Sequence, residues 1–491
     1  MKRKGLDDNT MTDSALLMLQ ALFVMQLYSG AGSMKSILFF VLAFAVSPTV
    51  LAAETKPNII FILSDDIGQG DIGCYGQKLI KTPSLDRMAI EGTRFNQAYC
   101  GTSVCAPSRT SLMTGFDTGH SPVRGNREIK AAESRFGAGQ LPLPASIVTI
   151  AQILKSVGYN TACTGKWGMG QFDTTGSPLK KGFDHFYGYN GQVHAHDYFP
   201  DYLCNDESRI ELPENKGGAK KTYAINLIQK DTLDWVGKQK NQPFFLFYAT
   251  TLPHASYEID DLGDYAWRKD WTVQQKTYAA MVTRLDKCVG ELMALLQEMK
   301  VDQNTMVIFA GDNGSAFGPN SPVGKLFDQS MSGKLRGFKR GMYEGGLRQA
   351  AIARWPGVIP AGRVSEEPWA FWDFLPTAAD LAGAKIPVEC KTDGLSIVSL
   401  LKGGPAPKRD YFYWELHEGN GPHQAIRFGN WKAVRNSPTA ALELYDLAND
   451  VSEKNDVASK NPDIIATAEK LLKRARVEDA NWPWKEKGYA K

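Results

Sequence analysis

The 491-residue chain is predicted to be an α/β protein, with a large, mostly parallel mixed β-sheet sandwiched by helices and a smaller C-terminal antiparallel-sheet subdomain. Short apolar, β-rich runs end abruptly in polar turns, as in "NIIFIL" before "SDDIGQGD" and "TMVIFA" before "GDNG". Helical repeats alternate with these runs over roughly 300 residues, the pattern of strand, crossover helix and parallel strand. Beyond Pro387 the pattern changes to aromatic, alternating runs, "YFYWELHE", "QAIRFGNWKAVR" and "ELYDL", which suit a small antiparallel sheet.

Taken in order, "KPNIIFIL" reads as a buried parallel strand entering a polar turn. Thr149 is placed to cap a helix in which Ile150, Ile153, Leu154 and Val157 share one face, with Gly158 at its end. The strand "NTACT" runs into "GKWG", and "PFFLFYAT" precedes "LPH". A long helical stretch from about Thr272 to Lys300 then leads to "TMVIFA", and "NPDIIATAEKLLKRARVE" closes the chain as a helix. In open α/β sheets, ligands gather beyond the carboxyl ends of the strands. Four such ends here carry Asp65 and Asp66, Lys166, His254, and Asp312 with Asn313, so they are expected to face one crevice.

The length exceeds what one compact core usually carries, so residues 54–386 are expected to form the main domain and 387–491 the second. From Met34 the chain reads "MKSILFFVLAFAVSPTVLAAE", the layout of a secretory signal peptide over 34–53, which implies a secreted or periplasmic protein. The apolar run before Pro48 is short for a bilayer span, so stable membrane insertion is not expected. Residues 1–33 read as an over-extended start ahead of Met34. The net charge of +3, with no basic stripe interleaved with aromatics, argues against a nucleic-acid partner. The cysteine count, seven, is odd, and there is no CxxC pair to suggest a zinc ribbon or a thioredoxin-type site.

The two acidic turns matter together. Three carboxylates and an amide oxygen meeting in one cleft would repel unless a hard cation lay between them, and oxygen ligands favour Ca²⁺ or Mg²⁺. Either turn alone reads more readily as a turn or a helix cap than as a ligand pair, and it is the two together that favour a cation. The second signal is "CAPSRTSLMTG" at Cys105: a C-x-P-S-R match arises by chance in on the order of one in a thousand chains of this length.

With "CAPSRTSLMTG", "NIIFILSDDIGQGDIGCYG", "TPSLDRMAIEGTRF", "TIAQILKSVGYNTACTGKWG", "LPH", "IFAGDNG" and "RGFKRGMYEGGLR" in this order, the chain resembles the formylglycine-dependent sulfatases. These are the arylsulfatase type within the alkaline phosphatase superfamily, and the resemblance runs from about Lys56 to the C-terminus. It implies a sulfuric ester hydrolase acting on a sulfated saccharide, with aryl sulfates as artificial substrates. It also implies that a separate maturation enzyme oxidises Cys105 to formylglycine. One hydroxyl of the hydrated aldehyde would attack sulfur, and the other would let sulfate be eliminated. By the same resemblance Asp65, Asp66, Asp312 and Asn313 hold Ca²⁺, with Mg²⁺ as the alternative. Arg109 would secure the formylglycine and the metal ligands, Lys166 and Lys339 would contact sulfate, and His254 would protonate the leaving oxygen.

One departure stands out. Many relatives have histidine after the tryptophan of "GKWH", whereas Gly168 stands there in this chain. The segment "YNGQVHAHDYFPDYL" resembles a loop that reaches the sulfate pocket in carbohydrate sulfatases, and offers His194 and His196, with His196 preferred as the replacement imidazole. Glu415, His417 and His423 are candidates for a sugar subsite. Two other readings stand beside the sulfatase: a phosphonate monoester or phosphodiester hydrolase of the same superfamily, and an unmatured protein that binds sulfated glycans.

Overall fold

The computed structural model describes residues 56–129, 139–327, 334–419 and 421–485, and the expected signal segment at 34–53 and the stretch 1–33 lie outside them. Among the described residues no helix is long and apolar enough to cross a membrane.

An eleven-stranded sheet organises the chain. Its centre is parallel: Asn58–Ser64 lies between Thr305–Gly311 and Phe244–Ala249, and the latter continues through Asn160–Lys166 to His185–Tyr189. Antiparallel strands flank this centre, with Arg348–Arg354 joining Thr305–Gly311 to Thr93–Tyr99 on one side and Tyr202–Asn205 added beyond His185–Tyr189 on the other. The sheet is therefore mixed, as expected, with a continuous parallel run at the middle and short parallel pairings of Arg363–Ser365 and Trp369–Ala370 with Thr93–Tyr99 at one edge.

Register decides where the polar groups emerge. Ser64 lies opposite Gly311, Leu63 opposite Ala249, and Ala249 opposite Gly165, so the four central strands end at one level. The central strand has no exposed face. Ile59, Phe61 and Leu63 enter the core on one side while Ile60 and Ile62 enter the core on the other, which is why its sequence is a continuous apolar run.

The helices start where the sequence signals them. Thr149 caps Ile150–Ser156 in a reciprocal box with Gln152, and Thr272 caps Val273–Glu298 in the same way with Gln275. The C-terminal sheet is antiparallel and four-stranded, Phe412–Glu418, Gly421–Phe428, Trp431–Arg435 and Glu443–Asp446, with the helix Pro462–Ala475 against it. Its strands present two faces. Trp414, Leu416, Ala425 and Val434 join the core shared with Phe61, while Tyr413, Ile426, Ala433 and Leu444 pack on Ala468 and Leu472 of the helix.

A buried polar cluster ties this sheet to the main one. Glu344 accepts hydrogen bonds from Tyr99 (2.7 Å) and Lys432 (2.8 Å) and pairs with Arg348, while Lys432 also pairs with Glu453 at 3.0 Å. All seven cysteines are free thiols.

Phe61 packs its ring on Phe374 and Phe371 at centroid separations of 4.6 and 6.0 Å. Phe61→Ala is expected to cost about 3–5 kcal/mol, read as a fall in the denaturant midpoint, whereas Val364→Ala at a half-exposed edge should change it by less than about 0.5 kcal/mol.

Candidate active site

Cys105 begins the helix Cys105–Thr114, every residue of which is buried. Pro107 sits in the first turn, where a missing N–H leaves no helix hydrogen bond unmade. Ser108 donates its hydroxyl to the carbonyl of Asp312 (2.6 Å), which fixes the helix to the tip of the neighbouring strand. One turn on from Cys105, the guanidinium of Arg109 is wholly buried. It donates through Nε (3.1 Å) and Nη2 (2.9 Å) to Asp312 Oδ2, through Nη1 to the carbonyl of Lys166 (2.9 Å), and lies 3.5 Å from Asp65. The "CAPSR" spacing thus places Cys105 at the mouth of the crevice and Arg109 beneath it.

Asp65 and Asp66 follow the central strand directly, and Asp66 turns the chain with a left-handed backbone (φ 64°), a conformation aspartate tolerates better than most residues. Cys105 Sγ lies 3.4 Å from Asp65 Oδ1, and Lys166 Nζ donates to Asp65 Oδ2 at 2.6 Å. Lys339 donates to Asp66 Oδ2 at 2.7 Å, and Asn313 donates its amide to Asp66 Oδ1 at 2.6 Å. Asp312 Oδ1 accepts the backbone N–H of Asp66 at 3.1 Å.

Burial favours the neutral form of all three aspartates, and neighbouring charges decide the outcome for each. For Asp65 burial is outweighed by Lys166, His254, Arg109 and Lys339, which hold its carboxyl well below the usual range. Asp66 is lowered too, Lys339 and His254 overcoming its burial. Burial, with Asp65 alongside, pushes Asp312 up to about 7 in spite of Arg109. The Cys105 thiol is raised far above its ordinary value by burial and by the charge of Asp65, so as a thiol it stays protonated and a poor nucleophile at neutral pH.

These groups suit a hard divalent ion. Ligand atoms of Asp65, Asp66, Cys105 and His254 all lie within 4.8 Å of one another. Asn313 Oδ1 is buried with no hydrogen-bond partner, an acceptor left over beside three carboxylates.

Above this floor opens a cleft of about 660 Å³ whose lining includes Asp66, Cys105, His196, His254 and Lys339. His254 Nε2 is 3.0 Å from Lys339 Nζ and 3.3 Å from Asp66, while Nδ1 meets the carbonyl of Ala255. Since the lysine ammonium can only donate, this network assigns the proton of the neutral ring to Nδ1. The His196 ring stacks on that of His254 at 4.3 Å, and burial together with the charge of His254 brings its pKa down to about 4. Arg340, next to Lys339, turns instead to the rim and pairs with Glu418 at 2.7 Å.

His194 is not brought to this cleft. Its ring stacks on Tyr202 (4.2 Å) and meets Tyr189 edge-on (5.0 Å), because residues two apart in the short turn His194–His196 point in different directions. Glu415 and His417 form a buried cluster with Arg124 and Arg476, and neither they nor His423 line the cleft. The C-terminal sheet contributes Glu418 instead. Gln192, which no motif in the sequence singles out, also lines the cleft and fills the space beside Gly168.

Known proteins share the sequence pattern and fold of this chain. Residues 57–384 match the family model described as Sulfatase, and residues 336–478 match that of the C-terminal part of N-sulphoglucosamine sulphohydrolase. The chain is 33% identical to the N-acetylgalactosamine-6-sulfatase of Canis lupus familiaris over 78% of its own length and 72% of the relative's. It is 31% identical to arylsulfatase A of Homo sapiens, covering 88% and 90% of the two chains. Among solved structures, that of Ps i-CgsB in complex with k-i-k-neocarrahexaose matches with a TM-score of 0.75 at 28% identity, covering 88% of this chain and 95% of the other.

Proposed function

The chain belongs to the sulfatase family, and from that premise we propose that this sulfuric ester hydrolase removes sulfate from a sulfated saccharide, using a formylglycine made from Cys105. The observation that carries the reading is the position of Cys105. Its Sγ lies in the cleft 3.4 Å from a buried carboxylate, in a setting that suppresses thiolate chemistry, so a matured side chain suits the site better than a thiol. The relatives named for saccharide or saccharide-bound sulfate support the substrate class, as does the polar rim of Arg340, Glu128 and Glu418. An export signal at 34–53 would place the protein where such glycans occur.

The net reaction is a sulfate ester plus water giving an alcohol and sulfate. When bound, a divalent ion, Ca²⁺ first, would neutralise Asp65, Asp66 and Asp312 with Asn313 and activate an oxygen on residue 105, the chemistry that a formylglycine hydrate supplies. Arg109 keeps Asp65 and Asp312 in place and screens their mutual repulsion. Lys166 and Lys339 supply the positive charge toward which the three non-bridging sulfate oxygens turn. His254 acts as the general acid in its protonated form, in which Nε2 carries a proton and turns from Lys339 to the departing sugar oxygen, to which it passes that proton. His196 covers His254 and excludes water from it. The catalytic groups fall within 54–386, and 387–491 closes the rim through Glu418.

Calcium added to chelator-treated protein should raise its thermal unfolding midpoint, by the equivalent of about 2.7 kcal/mol at a hundredfold excess over Kd. Asn313→Ala should lose most of that increment in the same calorimetric scan. Cys105→Ala should fold normally and lose turnover of nitrophenyl sulfate by on the order of 10⁴-fold. The intact enzyme should prefer a sulfate ester to the matched phosphonate monoester in kcat/KM. Preference for the phosphonate, or undiminished turnover by Cys105→Ala, would refute the proposed activity.

A further inference from the structure

The strand Asn160–Lys166 leaves the sheet through Trp167 and Gly168, where the chain adopts φ 72°. A Cβ at Gly168 would fall 2.0 Å from Gln192 Nε2 and 2.8 Å from its Cδ, so the glutamine amide already fills the volume that a side chain at 168 would enter. Gln192 is 3% exposed, and neither its Nε2 nor its Oε1 has a hydrogen-bond partner. It nevertheless lines the same cleft as Cys105, His254 and Lys339. A glutamine kept for packing normally satisfies its amide on nearby backbone, because leaving one buried and unpaired costs about 1–3 kcal/mol. Both atoms unpaired at the edge of a polar cleft mark an amide whose partner arrives with the ligand.

We propose that Gln192 is a sulfate-contacting residue that takes the place of the side chain missing at position 168. This rests on the reading of the cleft as a sulfate-ester site. Nε2 donates a hydrogen bond to a non-bridging sulfate oxygen, while Lys166 and Lys339 supply the charge. The amide brings direction without charge. It neither gains nor loses a proton in the working range, so it contributes no titration to the pH–rate profile. Gly168 and Gln192 are then one device, since a larger residue at 168 would evict the amide.

The test uses the matured, calcium-loaded enzyme with nitrophenyl sulfate as substrate and inorganic sulfate as competing ligand. Gln192→Met keeps the length and packing of the side chain and removes both polar atoms. It should unfold at the same temperature as the parent or higher, bind inorganic sulfate about tenfold more weakly, and lose kcat/KM by about 10²-fold. Gln192→Glu, which adds a negative charge at the same place, should bind sulfate more weakly still. A Gln192→Met protein with the parent's sulfate affinity and kcat/KM would overturn the proposal, as would losses that only track a lowered unfolding midpoint. If the parent enzyme itself neither binds sulfate nor turns over the ester, the reading of the cleft fails and this inference with it. An active parent with an indifferent Gln192→Met sinks the inference alone.

Discussion

Three aspartates with almost no exposed surface, set at the tips of two hydrogen-bonded parallel strands, impose the constraint on which the molecule depends. Two like charges about 4 Å apart at the effective dielectric of a protein site repel by about 4 kcal/mol, and each also loses hydration on burial. Such a cluster exists only where cations are fixed around it. Arg109 provides that from below, with no freedom to leave, because its guanidinium is held by Asp312 and the Lys166 carbonyl at once. Lys166 and Lys339 provide it from the sides. The helix that starts at Cys105 is therefore pinned by its own fifth residue, and the position of Cys105 over the carboxylates follows from the electrostatics of its neighbours.

The fold delivers these groups by register. Parallel strands ending level bring Asp65, Lys166 and Asp312 together from positions far apart in the sequence, and the left-handed turn at Asp66 keeps two consecutive carboxylates in one cluster. Lys339 arrives by another route. Its N–H bonds the carbonyl of Ser315 (3.0 Å) and that of Arg340 bonds Ser103 (2.9 Å), while Glu344, five residues on, fastens to Lys432 of the C-terminal sheet. The second sheet thus does more than cover the first. By securing Glu344 it holds the segment that carries Lys339, and through Glu418 it supplies part of the rim.

The central strands were legible because burial on both faces demands continuous apolar runs, and the polar residues after them were legible because strand ends are where such sheets place ligands. The flanking strands Thr93–Tyr99 and Arg348–Arg354 were not read. "TRFNQAY" and "RQAAIAR" mix charge with small residues, since parts of their surface meet the polar cluster around Glu344 rather than a uniform core. At the site, the charged residues were visible through motifs, whereas Gln192 was not. An uncharged amide in a loop carries no periodicity, and its one trace in the sequence is the missing side chain at Gly168. His194 and His196 illustrate the same limit: both are histidines of one turn, and only packing separates the ring stacked on Tyr202 from the ring stacked on His254.

The most direct measurement is the mass of the peptide spanning residues 95–124 from active protein made in its own host. Active protein should carry an aldehyde at position 105 in place of the thiol, in proportion to its activity. A fully retained cysteine thiol in protein that hydrolyses sulfate esters at full rate would contradict it.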